Sequence, residues 1–484
     1  MKERLITFFT LLFIAAFPFA NHLHKVLRGV SVSFVHSFKR LAPFPFSLPP
    51  LFQKTIHFYG SDLWIFALFL GALWTKECSI KTLFWNPHSR YLTLFIAVAL
   101  FSLFFSLFSH YYFQYTTLLN LTLSFLAFHL VYQLMKKRYG LLSIALWWIV
   151  AIAALECLIG CGQFLMQRSL GLSFLAEPQI TPLMENIATY PLTDGNRAFF
   201  DRLPWIGEGH TKLLRAYGTF DHPNIFGGYL VLTLFANYFL FIRSKRAGQR
   251  IFSLCVLLLQ LLTLALTFSR GPIFAWAIGT LLFFGVGWLK KGLFSTHERK
   301  RFIHLLCGIG GGFLTVFALL FQQLIARGGF VNYNGLATAS DSGRLLYYKI
   351  AAKLFLDHPF LGIGYNSFPL FPYEKVDPAF AGANPVGGLA HNIYLQVASE
   401  TGLLGLGVLA LFVVSLYRPF WKGGASLLTL TLGILFFTLL IMGLADHFLW
   451  AYPSGRLILL ITGALLAASF SASQPLWQGN IKRL

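Results

Sequence analysis

Apolar runs long enough to enter a bilayer alternate with short polar or basic breaks along nearly the whole chain. Segments of this kind read as membrane helices. The pattern predicts about twelve of them. The first runs from Leu5 to Ala20, followed by 62–74, 91–108, 115–135, 141–166, 223–242, 251–268, 272–289 and 302–325. A tenth leads from the stretch after 390 down to Arg418, and two more fall at 427–445 and 457–471. Met1-Lys2-Glu3-Arg4 ahead of the first run could pass for a signal peptide, but the spans that follow argue for an uncleaved first helix.

Two long polar stretches interrupt the pattern and divide the chain. Residues 1–166 carry helices one to five, 167–222 form a first large outer loop and 223–325 carry helices six to nine. Residues 326–400 form a second large outer loop that bears the site, and 401–484 carry helices ten to twelve. Residues 21–60 mix aromatics, prolines and bases and are read as an outer loop lying partly in the interface. Counting crossings places both chain ends in the cytoplasm and both large loops outside. Lys136-Lys137-Arg138, Arg243 to Arg250 and the His297 to Arg301 cluster then lie inside, as the positive-inside rule asks.

Composition strengthens this reading. Of 484 residues, 56% are hydrophobic and 11% charged, where a soluble domain carries about 25% charged. The fold class is therefore all-α: a polytopic integral membrane protein in contact with the lipid bilayer. The formal net charge of +21 would suit a nucleic acid, but the bases sit in short clusters between apolar runs, so nucleic-acid binding is rejected. The five cysteines form no disulfide framework or zinc pattern.

Three residues carry candidate chemistry. His391 opens an amphipathic helix that runs into an apolar segment. An imidazole at the water end of a membrane helix can transfer protons on a substrate held at the bilayer surface, or merely cap and anchor the helix. Arg270 sits in the tight turn Ser269-Arg270-Gly271-Pro272 between two apolar helices. A charge at that depth is expensive without a partner; it either snorkels to headgroup phosphates or clamps a diphosphate. Arg344 follows Ser340-Asp341-Ser342-Gly343, which reads as an N-cap, so it is expected in the first turn of a loop helix. A salt bridge to Asp341 or a nearby anion would explain a cation there. Downstream, Asp357 to Phe368 reads as a helix end, a tight turn and an exposed loop that shapes the site.

Together these stretches resemble the bacterial O-antigen ligase and polymerase superfamily. The motifs are Gly218-Thr219-Phe220-Asp221-His222-Pro223-Asn224, Ser269-Arg270-Gly271, Ser342-Gly343-Arg344 with Gly362-Ile363-Gly364, and His391-Asn392 followed by Gly402 and Gly405. The resemblance covers about residues 210 to 450. It implies a GT-C-like membrane glycosyltransferase in the bacterial inner membrane with its active site on the periplasmic face. Such an enzyme passes a glycan from an undecaprenyl diphosphate donor to an acceptor hydroxyl. For a ligase the acceptor is the lipid A–core oligosaccharide. The resemblance maps the catalytic residues onto Arg270, Arg344 and His391, with no cofactor and no metal. Two guanidiniums can hold the leaving diphosphate, and a neutral imidazole can accept the acceptor's proton during an inverting displacement.

Arg215, His222, Asn224, Tyr348 and Asn392 are assigned to the substrate side of the same site. Arg215 could also be purely structural, and His222 and Asn224 could be caps or site wall. Asp446-His447 lies at the outer end of helix eleven and reads first as a helix end, with a catalytic role as the less favoured alternative. The Asp-His pairs at 221, 357 and 446 could suggest metal ligands, but the first two precede Pro and read better as helix boundaries. Glu156 is a buried carboxylate, paired or protonated. The alternatives are a polymerase or protein O-oligosaccharyltransferase of the same superfamily, which would differ in acceptor, and a transporter. A transporter should show internal repeats and broken mid-membrane segments; no repeat is visible.

Overall fold

The computed structural model describes residues 2–20, 60–106, 112–175, 177–184, 187–192, 212–328, 336–371, 388–422 and 425–470. The interfacial loop expected at 21–60 lies almost wholly outside them.

The described chain is a helical bundle. In order, its helices are α1 (Lys2–Ala16), α2 (Gly60–Trp74), α3 (Ile80–Trp85), α4 (Ser89–Phe104), α5 (Tyr112–Lys137) and α6 (Leu141–Met166). Then come α7 (Pro223–Arg243), α8 (Ala247–Leu266), α9 (Arg270–Leu289), α10 (Thr296–Gly328) and α11 (Leu336–Asp357). The last are α12 (Ile393–Tyr417), α13 (Leu427–Ala445), α14 (Phe448–Ala451) and α15 (Pro453–Ser469). Among the described residues, seven helices are long and apolar enough to cross a membrane. The bundle is thus a polytopic membrane protein. Within the first large loop, β1 (Thr189–Pro191) and β2 (Lys212–Leu214) pair antiparallel, a small sheet that the polar pattern there does not suggest.

The apolar periodicity explains the layering. α7 is apolar all round, and every residue from Pro223 to Ile242 is buried; α15 is buried along its whole length. A helix without a polar face needs neighbours on every side. α7 finds them in α6, α8, α13 and α15, and α15 packs along α5. The outer helices keep one bare face: Phe274, Leu281 and Trp288 on α9 are more than half exposed, a stripe suited to lipid.

The bundle has a basic end and a site end. Arg138 and Lys137 share the Glu77 carboxylate, at 2.5 and 3.1 Å. Arg243, at the end of α7, pairs with Glu298 at the start of α10. Tyr139 lies within electrostatic range of Arg243, so these clusters share one end. The starts of α7, α9 and α12 lie at the other.

Two expectations need correction. α11 begins at Leu336, not after Asp341, so Arg344 stands in the third turn and the first-turn dipole argument does not apply. The loop after α11 is not exposed: Ile363, Gly364, Tyr365, Ser367 and Phe368 are buried. The reason is a break in α12. Gly402 has φ 63° and ψ −162°, which frees helical backbone groups on either side. The 359–364 turn satisfies them. Ile363 N–H donates to Ser399 O at 2.9 Å and Gly364 N–H to Glu400 O at 3.1 Å. In return Leu403 N–H donates to Pro359 O at 2.7 Å and Leu404 N–H to Phe360 O at 3.3 Å. Irregular backbone inside a membrane protein survives only where protein groups replace the lost bonds.

Candidate active site

Three loop-to-helix junctions build the site. The first precedes α7. Glu156 on α6 accepts hydrogen bonds from Thr219 N–H at 2.9 Å and Thr219 Oγ1–H at 2.6 Å, and Gln163 Nε2 donates to Gly218 O at 2.8 Å. The buried carboxylate is thus paired, and it fixes the Gly218-Thr219 turn. His222 then caps α7: its Nδ1 accepts from Asn224 N–H at 3.1 Å, with Pro223 at the first helical position. Its ring stacks on Phe448, centroids 4.1 Å apart.

The second junction is the turn between α8 and α9. Buried Arg215 staples it, donating from Nε to Thr267 O at 2.6 Å and from Nη2 to Ser269 Oγ at 2.8 Å. The same Nη2 donates to Asn224 Oδ1 at 3.0 Å, and Asn224 Nδ2 donates to Asp446 Oδ2 at 2.5 Å. Arg215 is therefore structural and lines the pocket as well. Phe268 in this turn has φ +46°, and Arg270 follows as the first residue of α9.

The third junction precedes α12. Asn392 caps it, its Oδ1 accepting from Tyr394 and Leu395 N–H at 2.9 and 3.0 Å. Its Nδ2 donates to Leu444 O at 2.9 Å, and Tyr348 Oη–H donates to His391 O at 3.2 Å. Gln396 Oε1 accepts from Ala390 N–H at 2.8 Å, and Gln396 Nε2 donates to buried Glu400 Oε1 at 2.5 Å. These bonds hold His391 at φ +49°, a conformation that non-glycine residues enter only when the surroundings impose it.

The junctions enclose a pocket of about 160 Å³ lined by Arg215, His222, Asn224, Phe268, Arg270, Gly271, Arg344, His391 and Phe448. Three arginines and the N-terminal ends of three long helices meet there, which is the field an anion needs. Arg344 reaches the end of α13, donating from Nη1 to Ala445 O at 3.4 Å. Burial, and secondarily the Arg344 charge, lowers the His391 imidazole to about 4. It is therefore neutral at neutral pH, with a lone pair to accept a proton. Burial raises Asp446 to about 6, against the opposing pull of Arg344 and of the Asn224 hydrogen bond.

Of the eight residues selected from sequence, Arg270, Arg344, His391, Arg215, His222 and Asn224 line this one pocket. Asn392 and Tyr348 sit behind it and hold the His391 turn. The contact of His447 with His391 is not expected from sequence. His447 Nδ1 lies 3.2 Å from His391 Nδ1, and burial, with the charges of His391, His222 and Arg344, holds His447 well below the usual histidine range. The Asp446-His447 pair at a helix end was the available signal. Ligand atoms of His391, Asp446 and His447 fall within 4.8 Å of one another, a spacing a cation could use. Arg344 acts electrostatically on all three, a field that opposes a further cation.

Residues 255–410 match the family model described as O-Antigen ligase, in keeping with the superfamily that the motifs resemble. Arg270, Arg344 and His391 lie inside the matched segment; Arg215, His222, Asn224, Asp446 and His447 lie outside it. No curated protein matches the chain.

Proposed function

With an O-antigen ligase segment at residues 255–410 as premise, we propose that this protein is an inverting membrane glycosyltransferase. It transfers a glycan from undecaprenyl diphosphate to the lipid A–core oligosaccharide, on the periplasmic face of the bacterial inner membrane. The observation that carries the proposal is that Arg270, Arg344 and His391, distant in sequence, line one pocket.

The chemistry follows from the groups. The donor's diphosphate sits between Arg270 and Arg344 at the start of α9, where bidentate guanidiniums and helix N–H groups meet phosphate oxygens. The acceptor hydroxyl oxygen attacks the anomeric carbon as the bond to the diphosphate oxygen breaks. The bonding pair leaves with the diphosphate, whose growing charge the arginines stabilise. His391 takes the hydroxyl proton. Backside attack inverts the anomeric centre, and the arginines do the charge-holding a metal would otherwise do.

The test is glycan transfer in detergent by the purified protein with lipid-linked donor, with and without a chelator, for wild type and His391→Ala. Transfer that survives chelation and is lost in the variant supports the proposal. Loss on chelation would instead make His391, Asp446 and His447 metal ligands. Undiminished transfer by the variant would reduce His391 to an anchor. A chromosomal deletion separates ligase from polymerase: carrier-linked polymer accumulates without a ligase, and single repeats without a polymerase.

A further inference from the structure

Of two adjacent imidazoles, the transfer step above uses His391 and leaves His447 without a role. The Nδ1 atoms of His391 and His447 are 3.2 Å apart, with the rings edge to face. Two bare nitrogens at that distance repel, and two N–H groups collide, so one hydrogen is shared between them. His391 lines the pocket and His447 does not; His447 is 5% exposed. With Nδ1 of His391 turned to His447, only its Nε2 is left for a substrate. Nε2 is basic in the tautomer where His391 donates its Nδ1 hydrogen to His447.

We propose that His447 is the positioning residue and proton relay behind His391. This deepens the transfer reading above and rests on it. As the acceptor hydroxyl gives its proton to His391 Nε2, the Nδ1 hydrogen of His391 passes to His447 Nδ1. His391 ends neutral with its hydrogen on Nε2, and His447 becomes imidazolium. One proton enters the pair and none is lost. Asp446 Oδ1 lies 3.8 Å from His447 Nδ1, too far for a hydrogen bond but close enough to stabilise that charge. Arg344 acts on both rings, so the Asp446 carboxylate is what favours the charge on His447.

The groups facing the pair come from several elements. His447 meets Asp446, His391, His222 and Arg344, with the Tyr452 ring 6.3 Å away and Asp221 acting on that tyrosine. His391 meets Arg344, the Tyr347 ring at 5.7 Å and His447. Asp446 is held by Asn224 Nδ2 and by the His447 N–H at 2.8 Å, so the relay's neighbours are themselves pinned.

The experiment compares transfer by wild type, His447→Gln, His447→Phe and His391→Ala over pH 5 to 9 with lipid-linked donor, and records thermal unfolding of each. Glutamine can still accept the His391 Nδ1–H through its carbonyl oxygen but cannot take the proton onward. It should lower kcat about 10- to 100-fold, up to the lower end of a full proton-transfer contribution, and leave the KM for donor unchanged. Phenylalanine loses the tautomer as well and should fall further. Wild-type kcat and pH profile in both His447 variants, with His391→Ala inactive, would overturn the relay while leaving His391 as base. An active His391→Ala would overturn both readings. If the His447 variants do not fold, the wild type decides through its rate in mixtures of H₂O and D₂O. A curved dependence on deuterium content reports two protons moving together, and a straight line refutes the relay.

Discussion

Gly402→Ala tests whether the break in α12 holds the site together. At φ 63° and ψ −162° the backbone lies where essentially only glycine goes, and an alanine there costs about 1–3 kcal/mol. Its Cβ would also stand 2.2 Å from Phe360 O and 2.3 Å from Phe360 C. Those are backbone atoms, so relief requires the whole 359–364 turn to withdraw. Withdrawal breaks at least the bonds from Leu403 and Leu404 N–H to Pro359 and Phe360, each worth about 1 kcal/mol net. The combined destabilisation is about 3–5 kcal/mol. The loss should extend to activity, because Ser399, Glu400 and Gln396 lie on the same segment and Gln396 anchors Ala390 beside His391. Gly407→Ala, five residues on in the same helix with nothing within 4 Å of the added carbon, is the control; it should be neutral or gain about 0.5–1 kcal/mol. Thermal unfolding in one detergent and glycan transfer are measured for both. A Gly402→Ala protein that melts and transfers like Gly407→Ala would refute the argument.

Four further outcomes follow from the site. Asn224→Ala leaves buried Asp446 Oδ2 without its amide donor and takes one of two acceptors from Arg215 Nη2, which keeps Ser269 Oγ; at about 1–3 kcal/mol for the carboxylate it should unfold several degrees earlier. Asn224→Asp sets a second carboxylate against Asp446 and should be worse than alanine at pH 7, recovering as the pH falls and one carboxyl protonates. Because His391 is lowered to about 4, the neutral, proton-accepting form persists as pH falls, so transfer should hold down to about pH 5 and decline towards 4. Arg344→Gln removes one cause of that lowering; in its residual activity at saturating donor, the acidic limb should move to higher pH, and an unmoved limb would show that the two groups do not interact.

Features that local pattern encodes are legible in the sequence. Apolar runs gave the helices, and α6 and α13 begin and end where the pattern puts them. Arg270 stood out because a charge in a two-helix turn contradicts its surroundings. The sequence predicts too late a start for α11 because Ser340, Asp341 and Ser342 look like caps, while the upstream Leu336-Ala337-Thr338-Ala339 segment extends the helix past them. The burial of 362–368 was invisible because its hydrogen-bond partners, Ser399 and Glu400, lie more than thirty residues away. The contact between His391 and His447 depends on how the end of α13 meets the start of α12. No spacing rule connects positions 391 and 447.

The arginines and the histidine of the pocket are coupled, and the coupling has a direction. Arg344 lowers His391, lowers His447 and draws Asp446 towards its charged form. Burial, with Arg344 adding to it, keeps both imidazoles neutral and makes them weak bases. A bound diphosphate would set negative charge beside Arg344 and cancel part of its field at the rings. The lowering that Arg344 causes is then relieved, and the imidazole becomes a stronger base once the leaving group is in place. The same reasoning explains why the pocket joins three helix starts to three guanidiniums. On the proposed function, the positive field that would hold the donor would also restrain the base until the donor arrives, with Arg344 serving both ends.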